Sequence, residues 1–296
     1  RCIRGVSPIS GETFLGRSIG ERGTMTDLTK NVETGVAVVP DYGDVTETGF
    51  ENQTMDDRST PYLTLLQQNS PQCRDAQDGG IEGAKPGMFM NSATNELYDG
   101  RDAGVLVVPA YTQHLYIEYR PREEGGGFVG VHQADSEVVR EAKSRATAFN
   151  RLTVGGNDLT EAFYVFCALT DSDGEPIGGI VIPFTSTKIK AYKKWNTRVS
   201  TLLLPRADGR RATPPIFAHL VRVKSSLEEN QHGKFFGMSL SPAVDGDLKA
   251  SLLPRDDPRF VAAHELMKSV SSGDVKAAGP SGQNSEGGGA SDDTPF

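Results

Sequence analysis

The chain reads as mainly β, with antiparallel strands, two or three helices and disordered ends. Three observations carry that reading. Short runs alternating apolar and polar residues recur between residues 60 and 240, separated by Gly, Pro, Asp and Asn clusters. Only a few stretches space their apolar residues as a helix does. Polar, glycine-rich sequence flanks this region on both sides.

Residues 1–58 are polar, acidic and turn-rich, broken only by the apolar run Gly35 to Pro40. They are expected to be a mostly disordered extension, with Met25 as the native start. Order is expected from residue 59, beginning with a strand at Thr60–Gln67. Loops and short strands follow around Met88–Asn91 and Asn95–Gly100. The longest strand candidate is Gly104 to Arg120. Its odd positions Val105, Val107, Tyr111, Leu115, Ile117 and Tyr119 make one largely apolar face, and Thr112, His114, Tyr116 and Glu118 the polar one. Pro109 predicts an edge position or a bulge within that strand.

Glu123–Gly127 forms a hairpin tip before Phe128–His132, and Asp135 is expected to cap a helix through Phe149. A second hairpin joins Leu159–Thr170 to Ile177–Phe184 through Asp171–Pro176. Phe163, Val165, Cys167 and Leu169 share one face of its first strand; Tyr164 and Phe166 share the other. A helix capped by Thr185 or Ser186 runs to about Leu203. Strands at Ile216–Ser225 and Lys234–Leu240 flank Glu228–Asn230, and a last helix spans about Asp257 to Ser269. These strands suit an OB-fold-like antiparallel barrel, although spacing alone does not define closure. The OB-like domain is thus bounded at 59–270, and 271–296 forms an acidic tail.

The net charge of -8 argues against a uniformly basic coat. Its distribution is uneven. Thr187 to Lys224 holds Lys188, Lys190, Lys193, Lys194, Arg198, Arg206, Arg210, Arg211, Arg222 and Lys224 against Asp208 alone, an excess of +9, so the rest of the chain carries -17. Such polarity steers polyanions to one face; the plainer reading is a solvated helix face, which usually mixes both signs. Within the segment, Tyr192 and Trp195 lie among five basic residues. Cations neutralise phosphates and aromatic rings stack bases, the two requirements of single-strand binding. Tyr192, in register with Ile189 and Val199, also reads as a core anchor. Tyr116, Tyr164 and Phe166 suit a stacking platform if their strand faces open onto a groove, and core packing if a helix covers them.

Other chemistry finds little support. Cys2, Cys73 and Cys167 show no metal-ligand or disulfide spacing, which fits a reduced cytoplasmic compartment. No G-x-x-x-x-G-K-[ST] loop is present. Gly125, Gly127 and Gly130 match G-x-G-x-x-G, but acids precede them. His264–Glu265 lacks a second zinc-binding histidine, and Asp171, Asp173 and Glu175 read as a hairpin turn before Pro176. A protein without catalytic activity, cofactor, metal or membrane span is expected.

The chain ends Ala290-Ser291-Asp292-Asp293-Thr294-Pro295-Phe296 after a Gly/Ser-rich tether. This ending resembles the acidic, Pro-Phe-terminated tip of bacterial and phage single-stranded DNA-binding proteins. Thr60-Pro61-Tyr62-Leu63, Glu118 to Arg122 and Gly125 to Gly130 are similar to a segment of phage-encoded proteins of that kind. The resemblance implies an OB-type domain that coats single-stranded DNA during replication or recombination. DNA contact is then expected through Lys188, Lys190, Lys193, Lys194, Arg198, Arg210, Arg211, Arg222 and Lys224, together with Trp195, Tyr116, Tyr164 and Phe166. Recruitment of helicase, primase, polymerase or nuclease would pass through Asp292, Asp293, Pro295 and Phe296, in the host cytoplasm if phage-encoded. It leaves self-association open. The chain departs from that pattern in its length, in having only two consecutive terminal acids, and in Thr294. The rival expectation is a phage virion or assembly protein with a protein-binding β domain and an inert tail.

Overall fold

The computed structural model describes residues 60–146, 152–171, 173–231 and 233–277, together with Gly49. The chain divides into two units, Arg1–Asn52 and Gln53–Phe296. Every described residue except Gly49 belongs to the second. The expected N-terminal extension, its start at Met25, and the tip Asp292, Asp293, Pro295 and Phe296 lie outside the described residues.

A small antiparallel sheet comes first, built from β1 (Leu63–Leu65), β2 (Phe89–Asn91) and β3 (Leu97–Tyr98). The chain then enters β4 (Val105–Tyr119) through Gly104, whose positive φ and close approach to the Val223 carbonyl leave no room for a side chain. After β5 (Phe128–Gln133) comes α1 (Glu137–Arg145), capped by Ser136. The Ser136 hydroxyl accepts from the Val139 amide, so the cap sits one residue beyond the expected Asp135. The second hairpin is β7 (Asn157–Thr170) and β8 (Pro176–Thr185), preceded by the short β6 (Thr153–Val154). Helix α2 (Lys188–Ser200) follows, then the small hairpin β9 (Leu204–Pro205) and β10 (Arg211–Ala212). The long hairpin of β11 (Val221–Asn230) and β12 (Gly233–Pro242) precedes α3 (Pro258–Ser271), which Asp257 caps through the Arg259 amide.

Strands β4 and β7 are the spine of a seven-stranded antiparallel sheet, paired from Val107↔Leu169 to Tyr119↔Asp158. On its other edge β4 pairs with β11 through Val105–Val107 and with β5 from Leu115 onward. Pro109, which has no amide hydrogen to donate, occupies the interval between them, and the register shifts there. That bulge alters the expected faces of β4. Val105 and Val107 pack with Phe163, Val165, Cys167 and Leu169, whereas Leu115 and Ile117 pack with Ala162, Tyr164 and Phe166. One extra residue moves the odd positions to the opposite side, so the apolar face read as continuous is two half-faces.

The mainly β, antiparallel character and the three helices agree with the expected class. Among the described residues the sheet does not close into a barrel, because no ladder joins β8 to β12. Two devices span the gap. Tyr192, Trp195 and Val199 of α2 fill the core beneath it. The segment before and after β1 links the two edges: Val181 of β8 donates to the Pro61 carbonyl at 2.8 Å, and the Gln67 carboxamide meets Phe236 of β12. Gln67 Nε2 donates to the Phe236 carbonyl at 2.9 Å and Oε1 accepts its amide at 2.8 Å. A side chain thus makes the pair of bonds that a neighbouring strand would make. On the opposite face, α3 covers Val108, Ala110 and Ala168, and its end packs with Tyr164 and Phe166. Val275 and Ala277 join that packing, so the chain stays on the domain past residue 270.

Candidate nucleic-acid interface

Helix α2 contains no Gly, Pro or acidic residue. Burying Tyr192, Trp195 and Val199 leaves Lys190, Lys193, Lys194 and Arg198 exposed, with Lys188 half-buried. Its first turn carries Lys188 and Lys190, where the helix dipole favours acids. Those lysines therefore do not serve the helix; they add to a positive end.

An open groove of about 690 Å³ runs beside this helix, lined by Glu161, Ser186, Ile189, Lys190, Lys193, Lys194 and Thr197. The strand side next to it, which contributes Glu161, follows from strand alternation. Leu159, Glu161 and Phe163 lie on one face of β7, opposite Glu118, Tyr116 and His114 of β4. Helix α1 packs over Tyr116 and Leu159, and α2 over Phe163 and Val165. Glu161 and His114 are the polar pair left between the two helices. Glu161 Oε1 lies 2.9 Å from His114 Nε2, and Oε2 lies 3.5 Å from Lys193 Nζ. Lys193 also stands 5.3 Å over the Phe163 ring, and across the cleft Lys143 of α1 stands 4.6 Å over Tyr116. A second pair, His132 and Glu118 at 2.7 Å, lies further along the same face. Hydrogen bonds from Asn157 and His132 hold the Glu118 carboxyl below its usual range, against the opposing effect of burial.

The remaining basic residues divide. Arg210 and Arg211 are exposed on the β9–β10 hairpin, which the Thr213 hydroxyl ties to the Ser200 carbonyl at the end of α2. That bond sets the hairpin against the C-terminal end of α2. Arg198 also donates to the Gly246 carbonyl at 2.7 Å. Arg222 and Lys224 do not join them. Val221 and Val223 face the core beneath α2, so Arg222 and Lys224 project from the opposite face of β11, where Arg222 donates to the Ala103 carbonyl at 2.5 Å.

The aromatic residues assigned to stacking are interior. Trp195, Tyr116, Tyr164 and Phe166 are all buried. Tyr164 meets Tyr62 edge-on at 5.7 Å beneath α3, and burial, the largest effect, raises its hydroxyl pKa. Trp195 packs edge-on against His219 at 6.3 Å. Helices cover both faces of the β4–β7 ribbon, which is why these rings present no face to solvent. Glu161, which lines the groove, and His114, Phe163 and Lys143, which lie beside it, are not among the residues that the sequence marks for strand contact. Their alternation was visible, but the register that juxtaposes them was not.

Among the described residues no cluster of three or more His, Cys, Asp or Glu is placed to hold a metal, and no helix is long and apolar enough to cross a membrane. Cys73 and Cys167 are free thiols, and burial raises the Cys167 pKa.

These features define a β-rich protein with an acid-free basic helix set along an open groove. The chain belongs to the family of Pam3 phage gp34-like proteins, whose model matches residues 29–276. No curated protein and no solved structure matches it.

Proposed function

We propose that this phage protein binds single-stranded DNA along α2 and its groove, protects it during replication or recombination, and recruits replication proteins through its C-terminal tip. The observation that carries the reading is the exposed, acid-free face of Lys190, Lys193, Lys194 and Arg198 bordering an open groove. A flexible strand can follow such a strip, its phosphates exchanging bound counterions for lysines. Arg210 and Arg211 stand on the hairpin set against the C-terminal end of that helix. The tip residues Asp292, Asp293, Pro295 and Phe296 offer an apolar ring beside carboxylates, suited to a pocket with a basic rim. The protein performs no chemistry in this role and acts in the host cytoplasm.

Anisotropy titration of labelled unstructured oligonucleotide against duplex tests the binding. Replacing Lys190, Lys193 and Lys194 by Glu is expected to weaken single-strand binding for all sequences and to reduce the salt slope by about 2, for three lost phosphate contacts. Unchanged affinity at low salt overturns the reading. Deleting Pro295 and Phe296 should leave strand affinity intact while abolishing capture of host helicase, primase, polymerase or nuclease. Equal capture by the truncated protein overturns the recruiting role.

A further inference from the structure

Beside the groove, against its lining residue Glu161, stands a stack of three rings. Tyr192 and Phe163 lie 4.6 Å apart at 27°, and Phe163 and His114 lie 4.2 Å apart at 13°. Tyr192 and Phe163 are buried, but the His114 side chain keeps 37% of its surface exposed. The stack therefore ends on a part-exposed flat heteroaromatic ring, which Tyr116 flanks at 5.6 Å and 39°. The hydrogen bond to Glu161 fixes that ring, and Lys193 in turn engages Glu161.

We infer that His114 is the stacking subsite for one nucleobase of a bound strand, an inference that rests on the proposed single-strand binding. The charges sort the ligand's parts. Glu161 beside the ring repels a phosphate, so the anionic backbone lies toward Lys190, Lys193 and Lys194, and the neutral planar base falls on the ring. The buried Phe163 and Tyr192 behind His114 prevent it from tilting away, which pre-organises the platform. Base stacking of this kind is sequence-tolerant, because every base has a π-face. Glu161 is a positioning residue here: it holds the His114 ring and keeps phosphate off it.

The test compares a normal oligothymidylate with an abasic deoxyribose-phosphate oligomer of equal length, using the full chain. The intact protein should prefer the base-bearing strand. His114→Ala should lose about tenfold in affinity for it, the order expected of one base–aromatic stack. The same variant should bind the abasic oligomer as before, with an unchanged salt slope. His114→Phe should restore the preference. Lys194→Gln should behave oppositely, weakening both oligomers alike and lowering the slope by about 0.7. A preference for bases that survives in His114→Ala overturns the inference and leaves strand binding standing. Failure of the intact protein to bind either oligomer overturns the proposed function itself, and this subsite with it.

Discussion

His219 is fully enclosed, and neither ring nitrogen has a hydrogen-bond partner among the described residues; the same holds for the indole nitrogen of Trp195, whose ring packs edge-on against it. Burial lowers the His219 pKa from 6.5 to about 4. An unfolded chain therefore takes up a proton between those values while the folded one does not. Stability from this group is full above pH 6.5 and is lost progressively as pH falls toward 4, a change on the order of 3 kcal/mol. His219→Leu should flatten the dependence of melting temperature on pH across that window, with the intact chain as reference. An equally steep dependence in both would show that other groups govern acid stability. Trp195 illustrates how such burial could be read in advance. It stands three residues after Tyr192 and four before Val199, on the apolar stripe of α2, so helical spacing outweighed the lysines around it. The pairing of part-exposed His114 with buried Phe163 beside the groove had no such signal, because it depends on which residue of β4 faces which residue of β7.

At the scale of elements, the strands and helices were legible where turns and periodicity agree. The β7–β8 hairpin is one case: Asp171 Oδ1 accepts from the amides of Asp173 and Glu175, closing the turn that Asp173-Gly174-Glu175-Pro176 announces. Bounds moved where alternation continues through polar residues. β11 begins at Val221 and runs to Asn230, past the expected turn at Glu228, because pairing with β12 persists to Asn230↔Gly233. Closure across β8 and β12 was not legible, since it passes through a side chain. Gln67→Leu should remove both bonds to Phe236 and leave that backbone pair without a partner, at a cost of about 1–3 kcal/mol. Chemical denaturation would register the loss as a lower midpoint at unchanged slope. No shift would mean that α2 alone bridges the open edges.

At the largest scale, the seven-stranded sheet of the second unit lies between α2 with the small sheet on one face and α3 on the other. The sequence made the segregation of positive charge visible, because it lies in one contiguous segment. It did not reveal that β11 turns Arg222 and Lys224 away from α2, since that is decided by which face of the strand is buried. One contact in this assembly has a further consequence. Thr60 and Ala277, far apart in sequence, form a parallel bridge, with the Thr60 amide 3.4 Å from the Lys276 carbonyl. The order in which the elements are strung is thus separable from the way they pack. A circular permutant that joins Ala277 to Thr60 by a short glycine-serine linker and opens the chain in the turn after Asp171 should fold to the same sheet. Its far-ultraviolet circular dichroism should match that of the parent domain, and its melt should remain a single cooperative transition. A non-cooperative melt would show that an uninterrupted β7–β8 hairpin is needed to organise the rest.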